Sequence, residues 1–185
     1  MQRFITLAFS ALLLLSLNAT TPETHYTVIV SLDGFRWDYP DMYKTPNLDR
    51  MAADGVKAVM LPSYPASTFP NHYTLATGLV PDHHGIINNT FWDVKNRRQY
   101  SMGDSATRDN PEYYLGEPIW ITAQKQGVKT GNMYWVGSDI AIKKSHPTYY
   151  RPWNAKPFLT FEQRIDTVLT WLQKPEPERP RPVSY

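Results

Sequence analysis

The sequence predicts an α/β fold in which a mostly parallel sheet is flanked by helices. Three observations carry this. Tyr26-Thr-Val-Ile-Val-Ser-Leu32 is an unbroken β-branched and apolar run, as expected of a central strand buried on both faces. Further along, segments with helical punctuation alternate with short apolar runs, the rhythm of βαβ units. Near the end, Thr160 and Gln163 form a capping box ahead of apolar residues at helical spacing.

Taken in order, the first strand stops at Asp33-Gly34. Thr45 as N-cap, Pro46 at the first helical position and Gly55 past the end bound a first helix. Val56 to Leu61 reads as a second strand, and Pro70 to Ala76 as a helix ended by Gly78. Pro118 to Gln126 is predicted helical and closed by Gly127, and Val128 to Trp135 is predicted to be a strand. In the capped helix, Phe161, Ile165, Val168, Leu169 and Leu172 share one face. Pro175 to Pro182 is a proline-rich charged connector. Val183-Ser184-Tyr185 then reads as a strand just beginning, which suggests a domain cut short.

Composition narrows the class. Hydrophobic residues make up 42% of the 185 residues and charged residues 19%, a globular balance. A formal net charge of +2 argues against specific nucleic-acid binding or an anionic membrane as the partner. Twelve Tyr and six Trp make stacking surfaces available for a ring-bearing substrate. Met1-Gln2-Arg3 followed by the apolar run Phe4 to Leu17 and a small residue at Ala19 reads as a signal peptide over residues 1–19. The run is shorter than the roughly 20 apolar residues of a bilayer span. The mature chain from residue 20 is therefore expected to be periplasmic or secreted, with no membrane anchor. Cysteine is absent, which excludes disulfides and thiolate chemistry.

Two residues draw attention on their own chemistry. Asp33 falls at the carboxyl end of the first strand, where open α/β sheets bind ligands, and a carboxylate there is a hard-oxygen ligand for a divalent metal. Taken alone, an Asp-Gly turn without chemistry is the commoner reading of that dipeptide. Thr68, before Phe69-Pro70, suits a helix N-cap. It also places a hydroxyl at the positive end of a helix dipole, where a phosphate is favoured and a metal could activate the hydroxyl as nucleophile.

Val30-Ser-Leu-Asp-Gly-Phe35, Thr45-Pro-Asn-Leu48, Tyr64-Pro-Ala-Ser-Thr-Phe-Pro-Asn-His-Tyr73, Thr77-Gly78-Leu79 and His84-Gly-Ile-Ile-Asn-Asn89 come in an order and spacing that resembles the nucleotide pyrophosphatase/phosphodiesterases of the alkaline phosphatase superfamily. The resemblance continues weakly through Trp135-Val-Gly-Ser-Asp139 and the helix near Trp171-Leu172. It implies an alkaline-phosphatase-like fold and a catalytic domain of which residues 20–185 are the N-terminal part. It implies that Asp33 and Thr68 are metal ligands, that Thr68 is the nucleophile, that Asn89 binds a phosphate oxygen, and that Phe69 walls the leaving group. Two zinc ions and a small-molecule phosphodiester or nucleotide substrate are expected with it.

Departures accompany the match. Ser67 stands where several relatives have Lys, and Trp153-Asn154 falls where tyrosine and asparagine are frequent. The family's other metal ligands come from downstream motifs that this sequence does not contain. His72 and His84 are read as packing histidines, His83-His84 as no metal pair, and Asp104-Ser105-Ala106 as a motif without its strand-and-helix context. The expected activity is metal-dependent hydrolysis of phosphodiester or pyrophosphate bonds. The alternatives are an alkaline-phosphatase-type phosphomonoesterase and a catalytically inactive fragment or binding module. The missing cysteine argues against the sulfatase branch.

Overall fold

The structure, a computed structural model, describes residues 25–185; the expected signal peptide lies outside them. In chain order the elements are β1 (Thr27–Ile29), α1 (Tyr39–Met42), α2 (Pro46–Asp54), α3 (Thr68–Thr77), α4 (Pro81–His84), β2 (Thr90–Asp93), β3 (Arg98–Ser101), α5 (Ser105–Arg108), α6 (Ile119–Lys125), β4 (Gly131–Met133), β5 (Tyr149–Arg151), α7 (Phe161–Leu172) and β6 (Pro182–Ser184). Short 3-10 turns cover Pro111–Tyr113 and Ile142–Lys144.

Four strands form a wholly parallel sheet in the order β1-β6-β4-β5. The strand that seemed only to begin at Val183 is thus an inner strand, paired on both sides. The sheet separates two cores. On one face, Met133 and Val183 pack against Val168, Trp171 and Leu172 of α7. Residues of opposite parity face the other way: Asn132 donates to Ser184 Oγ at 2.6 Å, and Ile29 packs on the larger core of α3, α6 and the hairpin. That core is aromatic, with Tyr73 set edge-on to Tyr114 and Phe91 stacked on Tyr100.

Several expected elements form as read. Gly78 caps α3 at φ 69°, a left-handed conformation that glycine adopts without steric cost. The capping box is complete: Gln163 N–H donates to Thr160 Oγ1 at 3.3 Å, and Thr160 N–H donates to Gln163 Oε1 at 2.9 Å. α7, however, buries an edge of its apolar stripe instead of the whole, because only Val168, Trp171 and Leu172 meet the sheet while Phe161, Ile165 and Leu169 stay exposed.

Val56 to Leu61 is not a strand. It has no ladder partner among the described residues, and Val56 and Leu61 are 93% and 89% exposed. β-branched composition favours extended backbone, but a strand exists only where another strand takes up its hydrogen bonds. The same reason trims the run 128–135 to β4, whose partners reach only Gly131 to Met133. An antiparallel hairpin, β2 with β3, and the edge strand β5 were not anticipated. Among the described residues no helix is long and apolar enough to cross a membrane.

Candidate active site

A cleft of about 540 Å3 opens at the carboxyl ends of β1, β6 and β4, where a parallel sheet conventionally receives its ligand. Past β1 the chain turns at Gly34, held at φ 70° with nothing near its missing Cβ, so the glycine serves conformation and not space. The turn leaves Asp33 exposed at the rim.

The head of α3 supplies the other wall. Ser67 occupies the N-cap position without a side-chain cap bond, and Thr68 is the first helical residue. Its hydroxyl is therefore not used for capping. It donates to Asp33 Oδ2 at 3.1 Å instead. One residue on, Phe69 N–H donates to Asn89 Oδ1 at 2.9 Å, which fixes that amide's orientation and leaves Nδ2 as its donor end. Pro70 lacks an N–H, a tolerable loss in a first turn whose donors have no intrahelical acceptor. Three of the expected residues, Asp33, Thr68 and Asn89, are thereby gathered at one helix start.

His72 holds this arrangement. Its Nδ1 lies 2.8 Å from the Thr68 carbonyl, which can only accept, so Nδ1 carries the proton. Nε2 then accepts from the Ser31 hydroxyl at 3.0 Å. Ser31 is two residues before Asp33, so the imidazole ties the exit of β1 to α3. Trp135 packs edge-on to that ring and donates its indole N–H to His72 O at 3.1 Å. His72 is a brace, as its spacing suggested.

Phe69 sits differently from expectation. It is 1% exposed, part of the large core, and offers no open ring face to a ligand. Its neighbour Trp153 packs edge-on to it at 5.5 Å and lines the cleft, as do Trp135 and Tyr134. Tyr134 follows β4 in a left-handed conformation, φ 54°, uncommon for a residue with a Cβ. Arg164 of α7 also reaches the cleft, its guanidinium over the Tyr134 ring at 4.8 Å. Sequence reasoning missed Tyr134 and Arg164. Tyr134 stands at the carboxyl end of a predicted strand, the position at which such sites are sought.

The other polar motifs are structural. His84 is fully buried; its Nδ1 accepts from Ile86 N–H at 3.2 Å and its Nε2 faces Thr74 Oγ1 and Pro70 O. Burial holds it below the usual imidazole range, with the Pro70 bond opposing. Asp104 caps α5 by accepting from Ala106 N–H at 2.9 Å.

The donor set can be tested for zinc. Two oxygens about 2.0–2.2 Å from one tetrahedral ion lie roughly 3.2–3.6 Å apart; Thr68 Oγ1 and Asp33 Oδ2 stand 3.1 Å apart. The gap is just short of that span, so the two donors suit two corners of a site once the pair opens slightly. Among the described residues no group of three or more His, Cys, Asp or Glu side chains could hold a metal ion.

A carboxylate and a hydroxyl facing each other across the carboxyl rim of a parallel sheet define an α/β protein with its ligand site at the strand ends. The chain belongs to the type I phosphodiesterase/nucleotide pyrophosphatase family, whose model matches residues 27–183. It is 44% identical over 156 residues to bovine ectonucleotide pyrophosphatase/phosphodiesterase family member 3, a match spanning 83% of this chain and 18% of that protein. Human family member 1 is 44% identical over 161 residues, with 85% and 17% covered. The solved structure of an inactive variant of murine ectonucleotide pyrophosphatase/phosphodiesterase 5, in complex with AMP, superposes with a TM-score of 0.78 at 32% identity and covers 86% of this chain and 42% of that one. The chain thus spans about a fifth of the curated relatives it matches.

Proposed function

We propose that this chain carries the nucleophile-bearing part of a metal-dependent catalytic site that hydrolyses phosphodiester or pyrophosphate bonds in small molecules, nucleotides among them. The observation that carries the proposal is the Thr68 hydroxyl, presented to Asp33 at 3.1 Å at the head of α3 with the Asn89 amide docked beside it. The AMP bound to the murine relative supports a nucleotide as one substrate. The leader read at residues 1–19 supports action outside the cytoplasm, periplasmic or secreted.

In this reading Asp33 and Thr68 would hold zinc, which would supply charge neutralisation and a lowered pKa for the oxygens it binds. Thr68 Oγ attacks phosphorus in line and gives up its proton to solvent; the bond to the leaving oxygen breaks, and that oxygen departs on an alcohol, or on a phosphate where the bond is a pyrophosphate, with a proton taken up from solvent. The phosphoryl group is then an ester of Thr68, released when water adds and the Thr68 oxygen recovers a proton. Asn89 Nδ2 donates to a phosphoryl oxygen as its charge grows, and the α3 dipole favours the same charge.

The test joins this chain to the remaining catalytic portion of the bovine relative and measures hydrolysis of bis(4-nitrophenyl) phosphate with zinc. Thr68→Ala is expected to abolish turnover; near-normal diesterase activity in that variant would sink the mechanism. Faster turnover of 4-nitrophenyl phosphate would favour the phosphomonoesterase reading. The binding-module reading predicts that the chain alone binds nucleotide without cleaving it; among the described residues no group of three or more His, Cys, Asp or Glu side chains could hold a metal ion.

A further inference from the structure

Among the described residues, Arg164 is the one lysine or arginine that lines the cleft holding Asp33 and Thr68. Three contacts keep its half-buried side chain there. Nε donates to Leu159 O at 3.0 Å, and the guanidinium lies over the Tyr134 ring at 4.8 Å and the Phe161 ring at 4.9 Å. None of these contacts uses Nη1 or Nη2. Among the described residues neither nitrogen meets a hydrogen-bond acceptor, and no carboxylate pairs with the charge. Asp33, the one carboxylate side chain lining the cleft, faces Thr68 instead.

The surroundings hold the guanidinium in one place. Leu159 O takes Arg164 Nε while Leu159 N–H donates to Tyr134 Oη at 3.3 Å, so the backbone of one residue sets both the ring and the cation above it. Tyr134 reaches that position from its left-handed conformation, φ 54°, which is sterically costly for a residue with a Cβ. Phe161 and Arg164 stand three residues apart on the first turn of α7, which the Thr160–Gln163 box secures. An arginine fixed this way has given up much of its side-chain freedom before a ligand arrives, which favours binding. Its two Nη groups form a planar fork that matches paired phosphate oxygens.

We propose that Arg164 is a specificity-determining residue whose Nη fork binds a second phosphoryl group, the one that a pyrophosphate carries beside the phosphorus attacked by Thr68 and that a simple diester lacks. The inference rests on the phosphodiester reading of the Thr68 site. Arg164 touches no reacting atom in it. A merely structural Arg164 would act on every substrate alike, whereas a phosphoryl-binding Arg164 separates pyrophosphates from diesters.

The test uses the chain joined to the remaining catalytic portion of the bovine relative, with zinc, and compares ATP with the 4-nitrophenyl ester of AMP. Both offer the same nucleoside and the same phosphorus; only ATP carries further phosphoryl groups. Arg164→Met keeps an unbranched stem against Tyr134 and removes the fork. It is expected to lower kcat/KM for ATP by about 10–100-fold, the range of a hydrogen bond to a charged group, chiefly through KM, and to leave the ester unchanged. Arg164→Lys keeps the charge without the planar fork and is expected to fall between. Unchanged turnover of ATP in Arg164→Met, or equal losses on both substrates, overturns the proposal. A second measurement needs no turnover: in the chain alone, inorganic pyrophosphate and inorganic phosphate are titrated in turn while the Arg164 Nε–H resonance is followed by NMR. Pyrophosphate is expected to shift that resonance at lower concentration than phosphate. Should the joined enzyme cleave neither substrate, the phosphodiester reading fails and the titration decides alone; no shift, or the same shift with both anions, overturns the proposal.

Discussion

The Ser31 hydroxyl donates to His72 Nε2 at 3.0 Å, so a single imidazole joins the last residues of the first strand to the helix that carries Thr68. Ser31 N–H is also held, by Tyr185 O at 2.8 Å. Asp33 is consequently delivered to Thr68 by a strand end fixed from two directions. His72→Phe keeps a ring against Trp135 but removes the bonds to Ser31 and the Thr68 carbonyl. It is expected to destabilise the fold by about 1–3 kcal/mol, the usual result of orphaning partly buried partners. Urea titration of the purified chain checks this, and an unchanged midpoint would contradict the bracing role.

Asn89 accepts from Phe69 N–H and, on the proposed reading, also donates to phosphate, two roles that substitution can separate. Asn89→Asp keeps an acceptor for Phe69 N–H yet removes the Nδ2 donor and adds a negative charge where phosphate would sit. Thermal stability is expected to hold while kcat in the completed enzyme falls by about 10²–10³-fold, the penalty for losing one transition-state donor. Asn89→Ala is expected to lose both. Equal activity in Asn89→Asp and wild type would remove Asn89 from the phosphate site.

On the proposed reading zinc binding by this chain alone should be weak, since Asp33 and Thr68 offer two oxygens where catalytic zinc normally has three protein ligands, and among the described residues no group of three or more His, Cys, Asp or Glu side chains could hold a metal ion. Calorimetric titration is expected to show no tight stoichiometric site, and Asp33→Asn to abolish what binding there is. Tight zinc that survives Asp33→Asn would place the metal elsewhere.

His84 makes stability depend on pH in a defined direction. Its folded pKa is depressed by burial, so the native state takes up a proton less readily than the unfolded chain. The stabilising contribution is complete above the unfolded value of about 6.5 and is lost as pH falls from there through the lower folded value. A melting curve taken stepwise from pH 7.5 downward should fall more steeply in wild type than in His84→Gln. Parallel curves would show that another group governs the acid limb.

Local chemistry explains what could be read ahead of the structure. Gly78 and the Thr160–Gln163 box act over a few residues, so their sequence signals translate directly into backbone conformation. Asp33 and Thr68 drew attention by residue type at a strand end and a helix start, Asn89 only through the family resemblance, and the structure sets the three side by side. Val56–Leu61 misled because apolar β-branched composition reports a preference for extended backbone and says nothing of a partner strand. The hairpin around Asp93 to Arg98 was missed for the converse reason: its turn has no Asn-Gly or Asp-Gly signal, and Arg97 takes the left-handed conformation at φ 51°. Phe69 was assigned to a cleft wall by position in a motif, while its burial depends on Trp153, far along the chain.

The seat of β6 bears on the order of assembly. Thr27 faces Pro182, so one of the first described residues is paired with one of the last, and among the described residues β1 has no neighbour in the sheet except β6. During synthesis the aromatic core of α3, the hairpin and α6 can gather from contacts close in sequence, while β1 must wait with its backbone unpaired. That interval is the period in which the nascent chain is most open to wrong pairing along an exposed strand. It also locates a point of mechanical release: cutting the proline-rich connector between α7 and β6 would free the inner strand, unzip β1 with it, and leave the aromatic core standing without the strand that delivers Asp33.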